Sequence, residues 1–501
     1  MPSYNCPFTL FRVLLIPALI AFLYLYFYPA INDCAFPPAK KPRKKCSGPE
    51  CKDTTVSAGK PPFRLLALAD PQLEGDTSLP AGWSNGAFAG LEKIWEDLRE
   101  GRWDGLKQDL PVLLQGYRKK LDLWGNDLYL AHVYRQTRWW AEPSHTVVLG
   151  DLLGSQWIGN EEFERRASRF WDKVFGTAER VPEDVMSRDH ESEVLEKETL
   201  WERRIIAVAG NHDVGYAGDL NEARIERFEK AFGKVNWELT FKLPNETLKK
   251  GQNYPSQKNP DFHAGPGPQP ELRLVILNSM NLDEPARSPD ARAQSHGFVA
   301  SSICDVNRFE NENAATIVLT HIPLHKEEGI CVDGPFFSYF SPEHGGGIRE
   351  QNHLSESVSS QILDCLRTSK PAIVLNGHDH EGCDTLHYSS PTEDAVAHKA
   401  VHHNQISSLS LGEKSSAIRE ITVRSMMGSY GGYAGFLSGW YNEAESKWEF
   451  EYATCGFGVQ HIWWVCNIVL LIEIGLAVMS GSDALAANLL GTGTQQKVKE
   501  A

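Results

Sequence analysis

At 501 residues, 42% of them hydrophobic, the chain has material for a large buried core, and its formal charge of −15 argues against the basic surface that a nucleic-acid reader needs. A negatively charged substrate would have to be met by positive charge concentrated in one place, most simply a metal ion.

Phe8 to Ile31 is almost continuously apolar, and its 24 residues, at about 1.5 Å each, reach roughly 36 Å, enough to cross a bilayer. Arg12 lies near one end, where its head can snorkel to the surface. The run is too long for a signal-peptide core and lacks a small-x-small cleavage site, so residues 1–31 are expected to form a tail and an uncleaved anchor. Residues 32–62, rich in Pro, Lys and Cys without periodicity, read as a linker.

A domain is expected over 63–456. It opens with the apolar strand Phe63-Arg64-Leu65-Leu66-Ala67-Leu68-Ala69, which Pro71 terminates, so Asp70 and Gln72 project from its C-terminal edge. Apolar residues at helical spacing predict helices over about 91–140, with Trp95, Trp103, Trp124, Trp139 and Trp140 read as core and helix-face packing. His145-Thr146-Val147-Val148-Leu149 is a second strand, ending in Gly150-Asp151. Over 160–203 Glu and Arg alternate, which predicts solvated helices without a catalytic part. The strand Ile205-Ile206-Ala207-Val208-Ala209 then delivers Gly210-Asn211-His212-Asp213.

Residues 221–232 read as a helix and 236–261 as irregular or hairpin structure; Pro266-Gly267-Pro268 marks a loop, and 272–277 form a strand. Ala315-Thr316-Ile317-Val318-Leu319 leads to His321, and Ala372-Ile373-Val374-Leu375 to Asn376-Gly377-His378-Asp379-His380. After the strand 421–423, the run Gly428-Ser429-Tyr430-Gly431-Gly432-Tyr433-Ala434-Gly435 is either a tight connection or a loop that shapes the site. Residues 462–479 form a second candidate span interrupted by Glu473, whose central placement costs about 2.5–3.5 kcal/mol, with a buried or interfacial helix as the alternative. A tail follows over 480–501.

Orientation signals conflict. Lys40, Lys41, Arg43, Lys44 and Lys45 would make the far side of the first span cytosolic. Against this, the tail ends Lys497-Val498-Lys499-Glu500-Ala501, which resembles a dilysine retrieval signal read in the cytosol. Two spans then put the domain in the lumen. Asn245-Glu246-Thr247 is a glycosylation sequon, and the eight cysteines between the spans, Cys34, Cys46, Cys51, Cys304, Cys331, Cys365, Cys383 and Cys455, suit a disulfide-permissive compartment. The lumen of the endoplasmic reticulum is therefore expected.

The polar groups delivered at strand ends are Asp70, Gln72, Asp151, Asn211, His212, His321, His378 and His380. Carboxylate, amide oxygen and imidazole without cysteine suit Mn, Fe or catalytic Zn rather than structural zinc. They are too many for one ion. A two-metal centre with a bridging carboxylate accounts for them, and such a centre serves in-line hydrolysis of a phosphoester.

The order Asp70-Pro71-Gln72, Gly150-Asp151, Gly210-Asn211-His212-Asp213, His321 and Gly377-His378-Asp379-His380 resembles the blocks of the calcineurin-like metallophosphoesterase superfamily, over about 63–456. The resemblance implies an α/β fold, a four-layer sandwich of two mixed β-sheets flanked by helices, here with membrane-anchoring helices at both ends. It implies that Asp70, Gln72 and His380 hold one metal and Asn211, His321 and His378 the other, with Asp151 bridging. His212 would act on the leaving group and Asp213 would orient His212. The second block departs from the pattern, reading Leu152-Leu153-Gly154-Ser155 where an Asp or Asn usually follows GD-x-x; Ser155 is a candidate substitute.

Longer strings, among them Asp70 through Gly75, Gly125 through Leu130, Gly154 through Gly159, Cys331 through Pro335, Gln351 through Ser357 and Gly377 through Cys383, are similar to the fungal branch of the endoplasmic-reticulum membrane phosphodiesterases that remodel GPI glycans. That likeness implies removal of an ethanolamine-phosphate branch from a mannose of the anchor, the second in this branch. It also implies manganese as the metal, GPI-anchored proteins as substrate, and export through p24-type cargo receptors. A luminal phosphoesterase for another lipid or a soluble phosphoester, and a non-catalytic trafficking factor, are the competing expectations. His353 and Asp333 either assist the site or belong to turns; His145, His263, His296, His387, His402 and His403 are taken as ordinary.

Overall fold

The apolar runs become strands whose side chains alternate between two interiors. The computed structural model describes residues 6–39, 59–80, 86–188, 191–195, 199–244, 268–306, 311–331, 334–368, 371–391, 396–410, 412, 414 and 417–499. Among them the strands run β1 (Phe63–Leu68), β2 (His145–Leu149), β3 (Glu179–Arg180), β4 (Ser192–Val194), β5 (Arg204–Val208), β6 (Trp237–Lys242), β7 (Glu271–Ile276), β8 (Ala314–Leu319), β9 (Phe337–Tyr339), β10 (Ile348–Gln351), β11 (Ala372–Asn376), β12 (Cys383–Pro391), β13 (Val396–His402), β14 (Ile418–Thr422), β15 (Tyr433–Asn442) and β16 (Lys447–Gly456). One sheet has the order β16-β15-β1-β2-β5-β3, and the other β13-β12-β14-β11-β8-β7-β6-β4.

Both sheets are mixed. β1, β2 and β5 run parallel, as do β7, β8, β11 and β14, while β15, β16, β6, β12 and β13 add antiparallel pairs. Parallel neighbours end at the same edge of a sheet. This is why the loops after β1, β2 and β5 leave side by side, and the loops after β8 and β11 likewise.

Alternate residues of the two sheets share one interior: Leu65, Val147, Ile206, Leu274, Ile317 and Ile373 belong to a single buried cluster. Residues of opposite parity, such as Leu66, Val148, Ala207, Val275, Val318 and Val374, pack with helical side chains including Tyr134, Phe163, Phe228 and Leu363. Strands buried on both faces explain why these runs read as continuous rather than alternating. The four-layer α/β sandwich expected from the sequence is the observed architecture.

Three segments depart from expectation. Residues 160–203 are not simply solvated helix: after Asn160–Arg169 the chain makes a π-turn, the short helix Glu183–Met186, and β3 and β4. Arg166 is fully buried, its Nε 2.7 Å from Glu162 Oε1, and it donates to the Leu73 carbonyl at 3.2 Å. Arg169 forks onto both oxygens of Asp127 at 2.6 and 2.8 Å and donates to the Glu74 carbonyl at 2.6 Å. These cations brace the loop that follows Gln72. Charge alternation locates a polar helix face without saying whether another charge covers it.

The expected helices over 91–140 are Gly86–Glu100 and Trp103–Ala141, but the tryptophans are not core. Trp95, Trp103, Trp124 and Trp139 are at least half exposed, because the two helices form a hairpin with its own small cluster around Ile94 and Leu113. The start of 236–261 is a strand, β6, paired antiparallel with β7; the sequon at Asn245 and the glycine of the 266–268 turn lie outside the described residues.

Apolar helices flank the domain, Cys6–Ile31 and Gln460–Lys499. Within them Phe8–Ile31 and Gln460–Ser482 each have a mean hydropathy of 2.2 and the length to cross a membrane, which suits membrane association. The two pack against each other. Glu473 is only 7% exposed, one turn from the buried Leu476, so it faces into the helix pair. The second helix runs without a break past residue 480. Cys34–Cys455 ties the exit of the first helix to the end of β16; Cys304–Cys365 and Cys331–Cys383 are the other pairs among the described residues, and Cys46, Cys51 and the lysine cluster at 40–45 lie outside them.

Candidate metal centre

Backbone conformation marks the site before any side chain is considered. Asp70, Gln72, Asp151 and His378 have φ of 51°, 42°, 49° and 72°, in the left-handed region that costs a non-glycine residue about 1–3 kcal/mol. Each follows a parallel strand, β1, β2 or β11, and the turn carries its side chain over the sheet edge. The loops also approach closely. A Cβ at Gly210 would lie 2.1 Å from the Asp151 amide nitrogen, so only glycine lets β5 deliver Asn211 beside Asp151.

Asp151 stands between two groups of side chains. Its Oδ2 accepts from Gln72 Nε2 at 3.0 Å, and that amide is 3.3 Å from His380 Nε2. Its Oδ1 is 3.3 Å from His321 Nε2, which is 3.0 Å from Asn211 Oδ1, and it accepts from the His212 backbone N–H at 2.8 Å. Asp70 accepts from the His378 N–H at 3.1 and 3.2 Å and lies 3.9 Å from His321 Nδ1. All seven residues named from the sequence as ligands are thus brought to one place.

The protons are assigned by what the rings face. His321 Nδ1 is 2.7 Å from the Leu149 carbonyl, which can only accept, so the proton is on Nδ1 and Nε2 carries a lone pair. That lone pair meets Asn211 Oδ1 and Asp151 Oδ1, neither of which has a proton to offer. His378 Nε2 donates to the Gln351 carbonyl at 2.9 Å, leaving Nδ1 as its lone-pair nitrogen. Burial holds both rings neutral: it lowers His321, and with His321 beside it pushes His378 down to about 3. For Asp151 burial opposes ionisation, but the facing His212 ring and the donated His212 backbone N–H outweigh it and lower its value.

His321 Nε2, Asn211 Oδ1 and Asp151 Oδ1 converge with no proton shared among the three, which fits a cation. Asp151, His321 and His378 offer ligand atoms within 4.8 Å of one another, and oxygen plus neutral imidazole suits divalent Mn, Fe or Zn. The opposed oxygens of Asp151, one toward Gln72 and His380 and one toward His321 and Asn211, suit a carboxylate shared between two ions.

Asp70 and Asp213 give this site a pH signature. Burial and the Asp151 carboxylate raise Asp70, and push Asp213 up to about 8 against three backbone donors. Up to about pH 8 Asp213 keeps, in the metal-free fold, a proton that the unfolded chain has already lost, so the stability it confers is lost as pH rises toward that value. His321 and His378 act in the opposite sense, but only below about pH 6.5. Between about pH 6.5 and 8 chelator-treated protein is therefore expected to lose about 1–2 kcal/mol, seen as a falling melting temperature that manganese reverses.

His212 sits apart from the ligands. Its ring is 34% exposed, with Nε2 3.8 Å from Asp151 Oδ2, and its Nδ1 is buried without a partner. Asp213 does not orient it, contrary to the expectation. The Asp213 carboxylate accepts from the backbone N–H groups of Leu152, Leu153 and Gly210 at 3.1, 2.9 and 2.9 Å. Residues 211–214 form one helical turn, where consecutive side chains point away from each other. Asp213 instead caps that turn and holds the Asp151 loop against it.

The altered second block has a local reason. Leu153 bridges Leu73, Gly154 N donates to the Leu73 carbonyl at 3.0 Å, and a Cβ at Gly154 would come 3.2 Å from the Gln72 carbonyl. Glycine lets the two ligand loops pair. Ser155 does not replace the missing carboxylate, since its hydroxyl accepts from Trp157 N at 3.3 Å.

Sequence reasoning missed the carbonyls of Leu149 and Gln351, which fix two rings; backbone acceptors leave no trace in residue type. It left open the glycine-rich run, which shapes the site. Tyr430 meets His380 edge-on, ring centres 4.6 Å apart. Gly428 of the same loop is seated so that a Cβ there would lie 2.5 Å from Gln460 Cβ and 3.2 Å from the Tyr129 ring. The centre is therefore one aromatic layer from the root of the C-terminal apolar helix. His353 is buried and stacks 5.1 Å from Phe336, while its carbonyl accepts from Gln351 Nε2 at 3.2 Å; it backs the segment that holds His378. Asp333 lies outside the described residues.

The sequence profile described as calcineurin-like phosphoesterase matches residues 63–382. The chain is 32% identical over 451 residues to Protein TED1 of Saccharomyces cerevisiae, covering 77% of this chain and 86% of that one. It is 27% identical over 393 residues to an uncharacterized protein of Schizosaccharomyces pombe, covering 75% and 69%. With Metallophosphoesterase 1 of Xenopus laevis it shares 22% identity over 359 residues, covering 70% and 69%.

Proposed function

This chain belongs to the calcineurin-like phosphoesterase family and is a metal-dependent phosphoesterase, and we propose that it hydrolyses an ethanolamine-phosphate branch from a mannose of GPI anchors, the second mannose, in the lumen of the endoplasmic reticulum. The observation that carries a membrane-held substrate is the seating of the site loop. Tyr430 forms a wall of the centre against His380, and its loop rests on Gln460, where the C-terminal apolar helix begins. A site seated at the root of an apolar helix suits a phosphoester carried on a glycolipid headgroup. The choice of the GPI branch rests on the sequence strings shared with that family of remodelling enzymes. The disulfides support an oxidising lumen, as they persist in such compartments.

Two divalent ions, manganese in this proposal, would be held by Asp70, Gln72, Asp151 and His380 and by Asp151, Asn211, His321 and His378, and would supply the positive charge that polarises a phosphoryl group and a water. The remaining work falls to the chain. Leu149 and Gln351 fix the tautomers of His321 and His378, so that their lone pairs face inward. Asp213 fixes the Asp151 loop. A new P–O bond forms from water as the P–O bond to the mannose breaks; His212 gives its proton to the departing mannose oxygen, and the proton that the water releases passes to solvent, from which His212 is reprotonated. Ethanolamine phosphate leaves, and the trimmed anchor proceeds to export, with p24-type cargo receptors as the proposed partners.

Purified protein with manganese is expected to release ethanolamine phosphate from GPI intermediates bearing the mannose-linked branch, and Asn211→Ala to abolish that release. Anchors from cells lacking the protein should retain the branch by mass analysis. If the anchors are unchanged while the protein still cleaves model phosphodiesters, the substrate is another phosphoester.

A further inference from the structure

The long helix Trp103–Ala141 carries a solvent-exposed apolar stripe. Leu110, Leu114, Tyr117, Leu121 and Trp124, at i, i+4, i+7, i+11 and i+14, share one face and are 39–60% exposed. Its hairpin partner Gly86–Glu100 repeats the pattern with exposed Leu91, Trp95 and Leu98 at i, i+4 and i+7. Exposed polar residues Gln115 and Asp122 lie on the opposite side of the long helix. Single exposed apolar side chains need no explanation, whereas aligned stripes on both helices of a hairpin mark an interaction surface.

What covers it follows from where the helix lies. Trp124 is 5.9 Å from Trp464 on the C-terminal apolar helix. Further along, Trp140 is 5.7 Å from Phe27 on the N-terminal one and donates from Nε1 to the Tyr26 carbonyl at 2.9 Å. Between them His132 meets Tyr26, Phe457 and Trp463 at 6.2–6.5 Å. Trp464 lies just inside the start of one apolar helix, and Tyr26 and Phe27 just before the end of the other, about 6–8 Å from the domain in each case. The long helix therefore crosses both near their domain-side ends. Its stripe begins at Trp124, in contact with one of them, and continues outward beside the pair.

We propose that this hairpin is an interfacial platform that lies in the boundary between lipid headgroups and acyl chains, with Leu114, Leu121 and Trp124 turned into the bilayer. Amphipathic helices with tryptophan and leucine on the apolar face occupy that depth, and aromatic residues collect there. The same helix supplies Tyr129, on which the Gly428–Tyr430 turn rests, so the platform sets the height and tilt of the metal centre over the membrane. The proposal requires the two apolar helices to span a bilayer and is independent of which phosphoester is cleaved.

The test uses the full-length chain in phosphatidylcholine nanodiscs carrying an acyl-chain diazirine probe, with adducts mapped by mass spectrometry after photolysis. Adducts are expected on stripe residues between 110 and 124 as well as on Phe8–Ile31, and not on Gln115. Leu114→Glu combined with Leu121→Glu, both at exposed positions, should lower the adducts on this helix by about fivefold or more while leaving those on the first apolar helix and the melting temperature unchanged. Adducts confined to the two apolar helices would overturn the proposal. So would a stripe shielded from lipid but cross-linked between chains, which would make it the contact with a second copy.

Discussion

Replacing Asp151 with asparagine is expected to lower turnover by about 10³-fold, a loss of about 4 kcal/mol of transition-state stabilisation, without unfolding the protein. The side chain keeps its size but loses its charge and one of two equivalent oxygens. In the native arrangement those oxygens face opposite ways, Oδ2 toward Gln72 and Oδ1 toward His321 and His212 N. An amide can present an acceptor to one side only, and turns a donor to the other. Metal content measured after dialysis should fall below two ions per chain. The fold should survive because the loop is held by backbone contacts that the substitution leaves in place: Gln72 N donates to the Asp151 carbonyl at 2.9 Å, and Asp213 accepts from Leu152 and Leu153. Circular dichroism and melting temperature check that point. Full metal occupancy together with more than about a tenth of native turnover would sink the bridging role.

The site was more legible than the elements around it, for a physical reason. A buried strand that stops at a proline or glycine and at once presents acid, amide or imidazole is hard to satisfy as packing, since unpaired polar groups are costly to bury. Asp70, Asp151, Asn211 and His378 sit at such stops, His321 follows β8 after Thr320, and the parallel pairing of β1, β2 and β5 and of β8 and β11 brings these strand ends together. Periodicity is weaker evidence of environment. It placed helices over 91–140 but could not tell that Trp95 and Trp124 face outward, because an apolar stripe has the same spacing whether protein or lipid covers it. It could not tell either that Arg166 is buried, because its partner Glu162 reads as another solvated charge. The resemblance misled at Asp213, which lies next to His212 in sequence and points to the backbone of Leu152, Leu153 and Gly210 instead.

His212 carries the second large effect. His212→Gln is expected to lower turnover on a sugar phosphodiester by about 10²–10⁴-fold, the range for loss of a positioned general acid, while metal content stays at the native level. None of the contacts that join the ligands depends on its ring: the residue's link to Asp151 Oδ1 is through its backbone N–H, which glutamine keeps. The imidazole is a third exposed, with Nε2 3.8 Å from Asp151 Oδ2 and a buried, unpartnered Nδ1. A general acid matters in proportion to the basicity of the group that departs. A mannose hydroxyl is strongly basic as an alkoxide and needs the proton; a nitrophenolate does not. The penalty should therefore shrink to about tenfold or less on an aryl phosphodiester. An equal penalty on both substrates would mean that His212 binds the phosphoryl group rather than protonating the leaving oxygen, and a loss of metal would place it among the ligands. Asp213→Asn separates this from a general weakening of the loop, since it disturbs the backbone anchor of Leu152 and Leu153 and should lower the melting temperature and reduce turnover on both substrates alike.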